Sequence, residues 1–410
     1  MELQIILNSN PWFSAVTDYS LQLARFVSAK KNTKVIYCAP AGSIALKKAN
    51  QCALQTNAIP LFPFSFTRFF AAWHALGELV KNNGPSIIWV FEGREHTLCA
   101  LHRVVNRDLW KETRLVRVRG QAEGVRRNPI NQWVYTQGVS GVAFAAEVIR
   151  KRAQIALPAA QGKVQLYCTA TLKEPILPLQ TGSQQVAVSR HFSLDFSHPT
   201  ITIVGRFDPV KGHKETVLAA ARADFKSYLR AEQWVQFVFI GESQNIAAQD
   251  LVQDAVGATG GSLKQLSAHR WLIESTEKRI RVLVIDERLR DIELWMRQSS
   301  FGLIPSLDSE VICRVAVEFL QQGTPLISSD AGALSEVLSK SCALVFENRN
   351  TDELKATLEK SLVLFNQQEI HSAMRSNAAA HGARFGPSGW NSLMGWANSL
   401  QPFYSDDTSK

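Results

Sequence analysis

The fold is decided by the stretch Ile201-Thr-Ile-Val-Gly205-Arg206-Phe-Asp-Pro-Val-Lys211-Gly212-His-Lys. Its apolar, β-branched start predicts a buried strand that ends at Gly205, and Gly212 opens a helical pattern. Arg206 and Lys211 lie between the two glycines. A strand, a basic loop and a helix N-terminus together form a binding site for an anion such as a diphosphate. The same string also fits an ordinary βα turn with surface cations.

A second signal follows about one hundred residues later, in Pro305-Ser306-Leu-Asp-Ser-Glu310-Val-Ile-Cys-Arg-Val-Ala-Val-Glu318. The apolar pattern predicts a helix over 309–322, and eight helical residues rise about 12 Å. Glu310 would then lie at the tip of the helix and Glu318 more than two turns deeper. That separation matches the sugar and the ribose of a nucleotide diphosphate-sugar, whose diols a carboxylate can bind. A pair of solvated glutamates is the alternative, but so apolar a helix argues against it.

Composition indicates a soluble globular protein of two or three domains, because 410 residues include 46% apolar and 20% charged side chains. No apolar run reaches the ~18 residues that span a bilayer. The N-terminus has an acidic second residue and no basic region, so it predicts a strand and not a signal peptide. Six cysteines without a C-x-x-C pair argue against a zinc site or disulfide framework and favour a reducing cytoplasm.

The net charge of +9 is spread unevenly along the chain. Residues 1–195 carry 23 Lys+Arg against 11 Asp+Glu, whereas the remainder carries 22 against 25. Residues 59–73 also place six large aromatic side chains around Arg68. Cations beside aromatic residues are what an interfacial membrane contact requires. The first half is therefore predicted to face an anionic partner, with a solvated basic surface and a loop packed on its own core as alternatives.

Apolar runs alternate with helical patterns in both halves, which predicts βαβ units and parallel sheets. We expect an α/β protein of two Rossmann-like, doubly wound domains that face each other across a cleft. The domains would cover 1–190 and 198–380, and a helix or tail over 381–410 would return to the first. Ligands of such sheets bind beyond the carboxyl ends of the strands. The predicted strands cover 3–8, 34–39, 86–91, 115–118, 141–145, 163–167, 200–205, 234–241, 280–286, 301–305, 325–329 and 343–347.

The second domain resembles the retaining family-4 glycosyltransferases (glycosyl transferases group 1), which have the GT-B fold. Members typically carry G-R-x-x-x-x-K-G, then P-S-x-x-E-G-F-G-x-x-x-x-E, a G-x-P-V strand and an x-G-x-x-E loop. This sequence has, in the same order, Gly205-Arg206 with Lys211-Gly212, Pro305-Ser306 with Glu310 and Glu318, Gly323-Thr-Pro-Leu, and Gly332-Ala-Leu-Ser-Glu336. The resemblance covers about 200–365.

The resemblance implies a role for each matching residue. Arg206 and Lys211 would bind the donor diphosphate and, with Glu310 at the donor sugar, form the catalytic set. Glu318 would bind the ribose. The sequence departs from the family at G-F-G, where it has Val311-Ile312-Cys313. The glycines of the family motif let the backbone approach the sugar and the phosphate closely. This replacement would alter donor choice or weaken the enzyme. The predicted donor-binding set comprises Glu318, Gly205, Val311, Ile312, Cys313 and Arg314.

The first domain departs further from the family. The glycine pair after its first strand is replaced by Asn10-Pro11-Trp12-Phe13-Ser14, where Trp12 and Phe13 suggest stacking or shape recognition of the acceptor. A histidine that often follows a later strand is replaced by the stretch Arg117-Val118-Arg119. Arg117 and Arg119 would therefore face an anionic acceptor or the donor phosphate, with surface cations as the alternative.

These observations predict transfer of a sugar, with retention, from a nucleotide diphosphate-sugar such as a UDP- or GDP-sugar. The acceptor would be a glycan or glycolipid of lipopolysaccharide or surface polysaccharide synthesis, at the cytoplasmic face of an anionic membrane. Two cations already supply the charge at the diphosphate, so neither a metal nor another cofactor is expected. A nucleic-acid partner is not expected, since no reading motif is present. A nucleotide-sugar epimerase of the same fold and a non-catalytic sugar-nucleotide-binding protein are the alternatives.

Overall fold

The computed structural model describes residues 2–12, 14–61, 63, 65–120, 125–157, 164–166, 194–308, 310, 313–402. The chain forms two compact units. The first comprises residues 1–172 together with 385–410, and the second comprises residues 173–384.

The described part of the first unit contains a sheet of seven strands in the order β3-β2-β1-β4-β5-β6-β7, and every pair is parallel. The strands are β1 (Glu2–Leu7), β2 (Thr33–Ala39), β3 (Gln55–Ala58), β4 (Ile87–Val90), β5 (Arg114–Arg119), β6 (Gly141–Phe144) and β7 (Val164–Leu166). The helices are α1 (Ala15–Ser28), α2 (Ile44–Gln51), α3 (Phe66–Asn83), α4 (Gly93–Val105), α5 (Pro129–Thr136) and α6 (Glu147–Ala156). Strands β1, β2 and β4 are almost wholly buried, as expected of a parallel sheet covered on both faces.

The described part of the second unit contains an eight-stranded sheet in the order β10-β11-β12-β9-β8-β13-β14-β15. Its edge hairpin, β10 and β11, is antiparallel, and the strands from β12 onward pair in parallel. The strands are β8 (Thr200–Val204), β9 (Val235–Gly241), β10 (Ser262–Ser267), β11 (Arg270–Ser275), β12 (Ile280–Asp286), β13 (Phe301–Ile304), β14 (Leu326–Ser329) and β15 (Ala343–Phe346). The helices are α7 (His213–Arg222), α8 (Ala248–Thr259), α9 (Ile292–Gln298), α10 (Arg314–Gln321), α11 (Leu334–Val337), α12 (Thr351–Asn366) and α13 (Gln368–Gly382).

The last helix, α14 (Pro387–Ser399), belongs to the first unit although it follows the second in sequence. The indole of Trp390 is fully buried and lies 4.7 Å from the ring of Tyr19 and 5.9 Å from that of Phe26, between ring centroids. The Arg114 side chain donates a hydrogen bond of 2.6 Å to the carbonyl of Leu400 just beyond this helix. The first unit therefore takes part of its core from the end of the chain.

The prediction of two doubly wound α/β domains is confirmed. Each sheet reverses its strand order at one point, between β1 and β4 in the first unit and between β8 and β13 in the second. The loops that leave the carboxyl ends of two such strands diverge and leave a crevice between them. Candidate sites are therefore the loops after these four strands.

Candidate functional sites

The loop after β8 carries both predicted phosphate-binding cations. A short 3-10 helix, Pro209–Lys211, follows Arg206, and Asp208 caps it by accepting a hydrogen bond of 3.1 Å from the backbone N–H of Val210. Gly212 then starts helix α7 with φ +70°, and a Cβ at this position would lie 2.0 Å from the carbonyl oxygen of Pro305. Only glycine lets the two loops approach this closely.

Asp208 positions the arginine of this loop. Its buried carboxylate lies 3.2 Å from the Nε of Arg206 and accepts a hydrogen bond of 2.8 Å from the amide of Asn245. Burial alone would raise the pKa of Asp208, but the hydrogen bonds from Val210 and Asn245 and the nearby cations hold it below its ordinary value. About half of the Arg206 side chain is exposed, so the oriented guanidinium can still bind a ligand.

Lys211 reaches the loop after β13. Its ammonium group forms an ion pair with the Oε1 atom of Glu310, and the hydroxyl of Ser306 donates to the same oxygen at 2.6 Å. The backbone of this loop is fixed on both sides, because Leu307 N–H donates to the Val210 carbonyl at 2.9 Å and Ala333 N–H donates to the Glu310 carbonyl at 2.7 Å. Three loops thus meet around one carboxylate at the switch point of the second sheet.

One sequence prediction about this site is wrong. The helix expected over 309–322 begins only at Arg314 in α10, so Glu310 precedes the helix and the 12 Å helical separation from Glu318 does not apply. The tertiary contacts of Glu310 explain the difference. Its side chain is held by Lys211 and Ser306, and a Cβ on Gly332 would lie 2.5 Å from its backbone nitrogen. These contacts override the helical propensity of the sequence.

Two buried groups lie next to the cations. Burial lowers the pKa of His213 to about 4, with a further contribution from the charge of Lys211, so the imidazole is neutral at pH 7. Its ring lies edge-on to Phe207 and Phe239. Burial raises the pKa of the Cys313 thiol to about 12, so this residue is a packing group and not a nucleophile.

The structure pairs Lys211 with Glu310 and Arg206 with Asp208, and the charges of both cations lower the pKa of Asp208. Gly205 directly follows β8. Glu318 and Arg314 are half-buried residues of α10. Val311 and Ile312 lie outside the described residues, as does Phe13 of the predicted acceptor set.

The remaining predicted residues lie in the first unit, along two cavities after β1, β4 and β5. The first, here called the aromatic cavity, has a volume of about 630 Å³ and includes Trp12, Arg68, Phe69 and Arg94 in its lining. The second, here called the arginine pocket, has a volume of about 300 Å³ and is lined in part by Arg117 and Arg119. Glu92, Gly93 and Thr97, at the start of α4, line both cavities.

Sequence reasoning missed Asp208, His96 and Tyr135. Asp208 lies inside the G-R-x-x-x-x-K-G string, and an Asp-Pro pair before a turn is a capping signal that could have identified it. His96 and Tyr135 line the arginine pocket from α4 and α5. Nothing in the local sequence distinguishes them from ordinary core residues.

Comparison with known proteins assigns a family to most of the second unit. Residues 191–381 match the family of glycosyl transferases group 1, a span that contains the loops after β8 and β13. The second unit is therefore a glycosyl transferases group 1 domain, as the resemblance implied. No curated protein is significantly similar to the chain in sequence.

Solved structures share the fold over nearly the whole chain. A glycosyltransferase from Rickettsia africae has a TM-score of 0.76 and 12% identity, with 97% of this chain and 98% of that one covered. HepE from Anabaena in complex with UDP has a TM-score of 0.70 and 14% identity, with 97% and 100% covered. The lipopolysaccharide outer core galactosyltransferase WaaB has a TM-score of 0.66 and 12% identity, with 97% and 99% covered. The chain thus has the GT-B glycosyltransferase fold.

No helix in the described residues is long and apolar enough to cross a bilayer.

Proposed function

We propose that this protein is a retaining glycosyltransferase that uses a nucleotide diphosphate-sugar as donor and a glycan or glycolipid as acceptor. The observation that carries the proposal is the position of two cations, Arg206 beside Asp208 and Lys211 beside Glu310, at the switch point of a group 1 domain. Two cations suit a diphosphate, and a carboxylate beside them suits the hydroxyls of the attached sugar.

The proposed reaction places its developing charge on the leaving diphosphate. The bond from the anomeric carbon to the phosphate oxygen breaks, and the acceptor oxygen forms the new bond on the same face. The acceptor proton passes to the leaving phosphate oxygen, so atoms and charge balance. Arg206 and Lys211 stabilise the leaving group, because both are already oriented by carboxylates before the donor arrives. In this proposal these two cations do the electrostatic work, and no metal or other cofactor takes part.

Glu310 has two functions in this proposal. Without donor, it neutralises Lys211 and is fixed by Ser306. With donor, the diphosphate takes over Lys211, and the carboxylate turns its remaining acceptor capacity to the sugar hydroxyls. The exchange keeps the charge around Lys211 balanced in both states.

Similar folds support a uridine donor and a cell-surface acceptor. HepE structures contain UDP or UDP-glucose, the latter at a TM-score of 0.66. WaaB is a lipopolysaccharide outer core galactosyltransferase, and WaaG is involved in lipopolysaccharide biosynthesis. By extension, we propose that this chain uses a UDP- or GDP-sugar as its donor. We also propose that it acts in lipopolysaccharide or surface polysaccharide synthesis.

Exposed aromatic and basic side chains in the first unit favour a lipid-linked acceptor. Trp12, Phe66 and Phe70 are 67%, 77% and 67% exposed, and Phe66 and Phe70 share one face of the first turns of α3. Exposed Arg68 and Arg94 line the same cavity as Trp12. Exposed aromatic side chains with cations between them suit the headgroup region of an anionic membrane. The proposed location is peripheral, at the cytoplasmic face of the membrane.

The proposal is tested by measuring sugar transfer and UDP and GDP affinity in Arg206→Gln and Lys211→Gln. Each variant removes one charged donor to the leaving group, so we expect a loss of about 10² to 10³ in turnover. Lys214→Gln is the matched control, because Lys214 is a neighbouring exposed lysine that pairs with Asp254. Unchanged turnover and unchanged nucleotide affinity in both variants would show that the assignment is wrong.

A further inference from the structure

The arginine pocket buries two cations at the carboxyl end of β5. Arg117 is 1% exposed and Arg119 is 8% exposed. They stand two residues apart on one strand, so their side chains project from the same face of the sheet. Both line a cavity of about 300 Å³. Burying a guanidinium group is costly unless an anion or several acceptors face it.

The other polar groups of the pocket complement an acidic ligand. Arg119 Nη1 donates a hydrogen bond of 3.0 Å to the hydroxyl of Tyr135, which leaves the hydroxyl proton to donate to a further acceptor. The ring of His96 lies edge-on to Tyr135 with 5.0 Å between centroids, and its buried Nε2 atom has no hydrogen-bond partner within the described residues. Burial and the charges of Arg117 and Arg119 lower the pKa of His96 well below its ordinary value, so its neutral ring carries one N–H.

The described lining of the pocket is mainly cationic. Among the described residues, it carries Arg117, Arg119 and Arg126 and one carboxylate, that of Glu92. The carboxylate of Glu95, which is not part of the lining, accepts hydrogen bonds at its Oε1 atom from the backbone N–H groups of Phe91 and Glu92, while its buried Oε2 atom has no hydrogen-bond partner within the described residues. The cavity therefore has a cationic lining with room for one small anionic group.

We propose that the arginine pocket binds a phosphate or carboxylate group carried by the acceptor, so that the substrate of this enzyme is an acidic glycan. This inference rests on the proposed function and names the class of its acceptor. The aromatic cavity lies next to the pocket and shares Glu92, Gly93 and Thr97 with it. Its volume of about 630 Å³ and its Trp12 and Phe69 side chains suit the sugar rings to which the acidic group is attached.

The test is calorimetric titration of the full chain with glucose 6-phosphate, with glucose as the uncharged probe. We expect glucose 6-phosphate to bind at least about tenfold more tightly than glucose, and Arg117→Gln and Arg119→Gln each to weaken it at least about tenfold. Arg107→Gln, an exposed arginine of the same unit, should leave the affinity unchanged. Tyr135→Phe keeps the buried ring but removes the hydroxyl, so it should lower the affinity severalfold in a variant that folds.

Two further arms identify the source of the bound group. Because the loop after β8 is itself proposed to bind phosphate, the titration is repeated in Lys211→Gln, where the affinity for glucose 6-phosphate should persist. UDP affinity should be unchanged in Arg117→Gln and Arg119→Gln, and its loss would assign the pocket to the donor and overturn the inference. Equal affinity for glucose and glucose 6-phosphate would overturn it as well. Failure of the proposed function would be a different result, namely UDP affinity that is unchanged when Arg206 or Lys211 is replaced by glutamine.

Discussion

Lys211 and Glu310 form an ion pair across the switch point of the second sheet, although 99 positions separate them in sequence. The pair joins the loop after β8 to the loop after β13, and Ser306 donates to the same carboxylate oxygen. A nucleotide diphosphate would have to displace Glu310 from Lys211 to use the full charge of the ammonium group. In the proposed mechanism, the ion pair therefore couples donor binding to the orientation of the carboxylate.

Glu310→Gln should separate nucleotide binding from catalysis. Loss of the carboxylate leaves the positive charge of Lys211 without its ion-pair partner. We therefore expect the affinity for free UDP to rise about two- to fivefold, which corresponds to the free energy of a partly exposed ion pair. Sugar transfer should fall about 10²-fold or more, because the group at the donor sugar has lost its charge. Calorimetry with UDP and a transfer assay measure the two effects.

Glu274→Gln is the control for this variant, since Glu274 of β11 pairs with Arg281 of β12 in the same unit. Both UDP affinity and turnover should match the wild type there. A Glu310→Gln variant that binds UDP more weakly would contradict the exchange of partners at Lys211.

Gly212→Ala should disrupt the contact between the loop after β8 and the loop after β13. The new Cβ would lie 2.0 Å from the Pro305 carbonyl, and φ is +70°. Gly260→Ala is a matched control in the same unit, with φ +64° and no atom within 4 Å of the new Cβ. We expect Gly260→Ala to cost about 1 kcal/mol of unfolding free energy and Gly212→Ala at least about 2 kcal/mol more. Urea unfolding and UDP titration check both, and equal costs would show that the close approach is not maintained in solution.

The sequence allowed prediction of the central strands of both sheets, because buried parallel strands are apolar, β-branched runs bounded by glycine or polar residues. It did not reveal β3 or the hairpin of β10 and β11. Strand β3 consists of Gln55–Ala58, and β10 exposes nearly all of its side chains. Edge strands of this kind lack both the apolar run and the alternation on which strand prediction depends.

The proximity of the loops after β8 and β13 could be predicted because the carboxyl ends of neighbouring strands meet at one edge of the sheet. The start of α10 could not, because an apolar string around Glu310 has a helical period whether or not tertiary hydrogen bonds pull it away from the helix. The arginine pocket was only partly predictable. Arg117 and Arg119 were candidates because they stand where the family often has a histidine, whereas His96 and Tyr135 enter the pocket through packing between α4 and α5.

His213 should titrate near pH 4 in the folded protein. Because this pKa lies below the ordinary value of 6.5, the folded state binds the proton less readily than the unfolded state does. Stability is therefore retained above pH 6.5 and lost as the pH falls toward 4, by roughly 3 kcal/mol in total. Histidine ring NMR measures the pKa directly, with His213→Gln to assign the signal. A ring that protonates near pH 6.5 would contradict its burial.

Chelation should leave sugar transfer intact. In the proposed mechanism, Arg206 and Lys211 provide the charge that many transferases obtain from a bound divalent cation. We expect turnover with EDTA to stay within about twofold of the untreated value. This change is much smaller than the loss of turnover expected when one charged donor is removed. The measurement compares the initial rate after EDTA treatment with the rate after adding back Mg²⁺ or Mn²⁺. Loss of activity that Mg²⁺ or Mn²⁺ restores would contradict this assignment.

Phe66 and Phe70 should be required for membrane binding if the first unit docks on an anionic bilayer. Wild-type protein should co-sediment with phosphatidylcholine vesicles that contain phosphatidylglycerol, and binding should weaken as salt screens Arg68 and Arg94. Replacing both phenylalanines with serine removes apolar area that enters the interface, so affinity should fall more than about tenfold. Ile155→Ser is the control, because Ile155 is 78% exposed on α6 and belongs to neither cavity lining. Sedimentation that does not depend on lipid charge or salt would contradict membrane docking. Binding of the double variant with wild-type affinity would show that this face is not the membrane-binding surface.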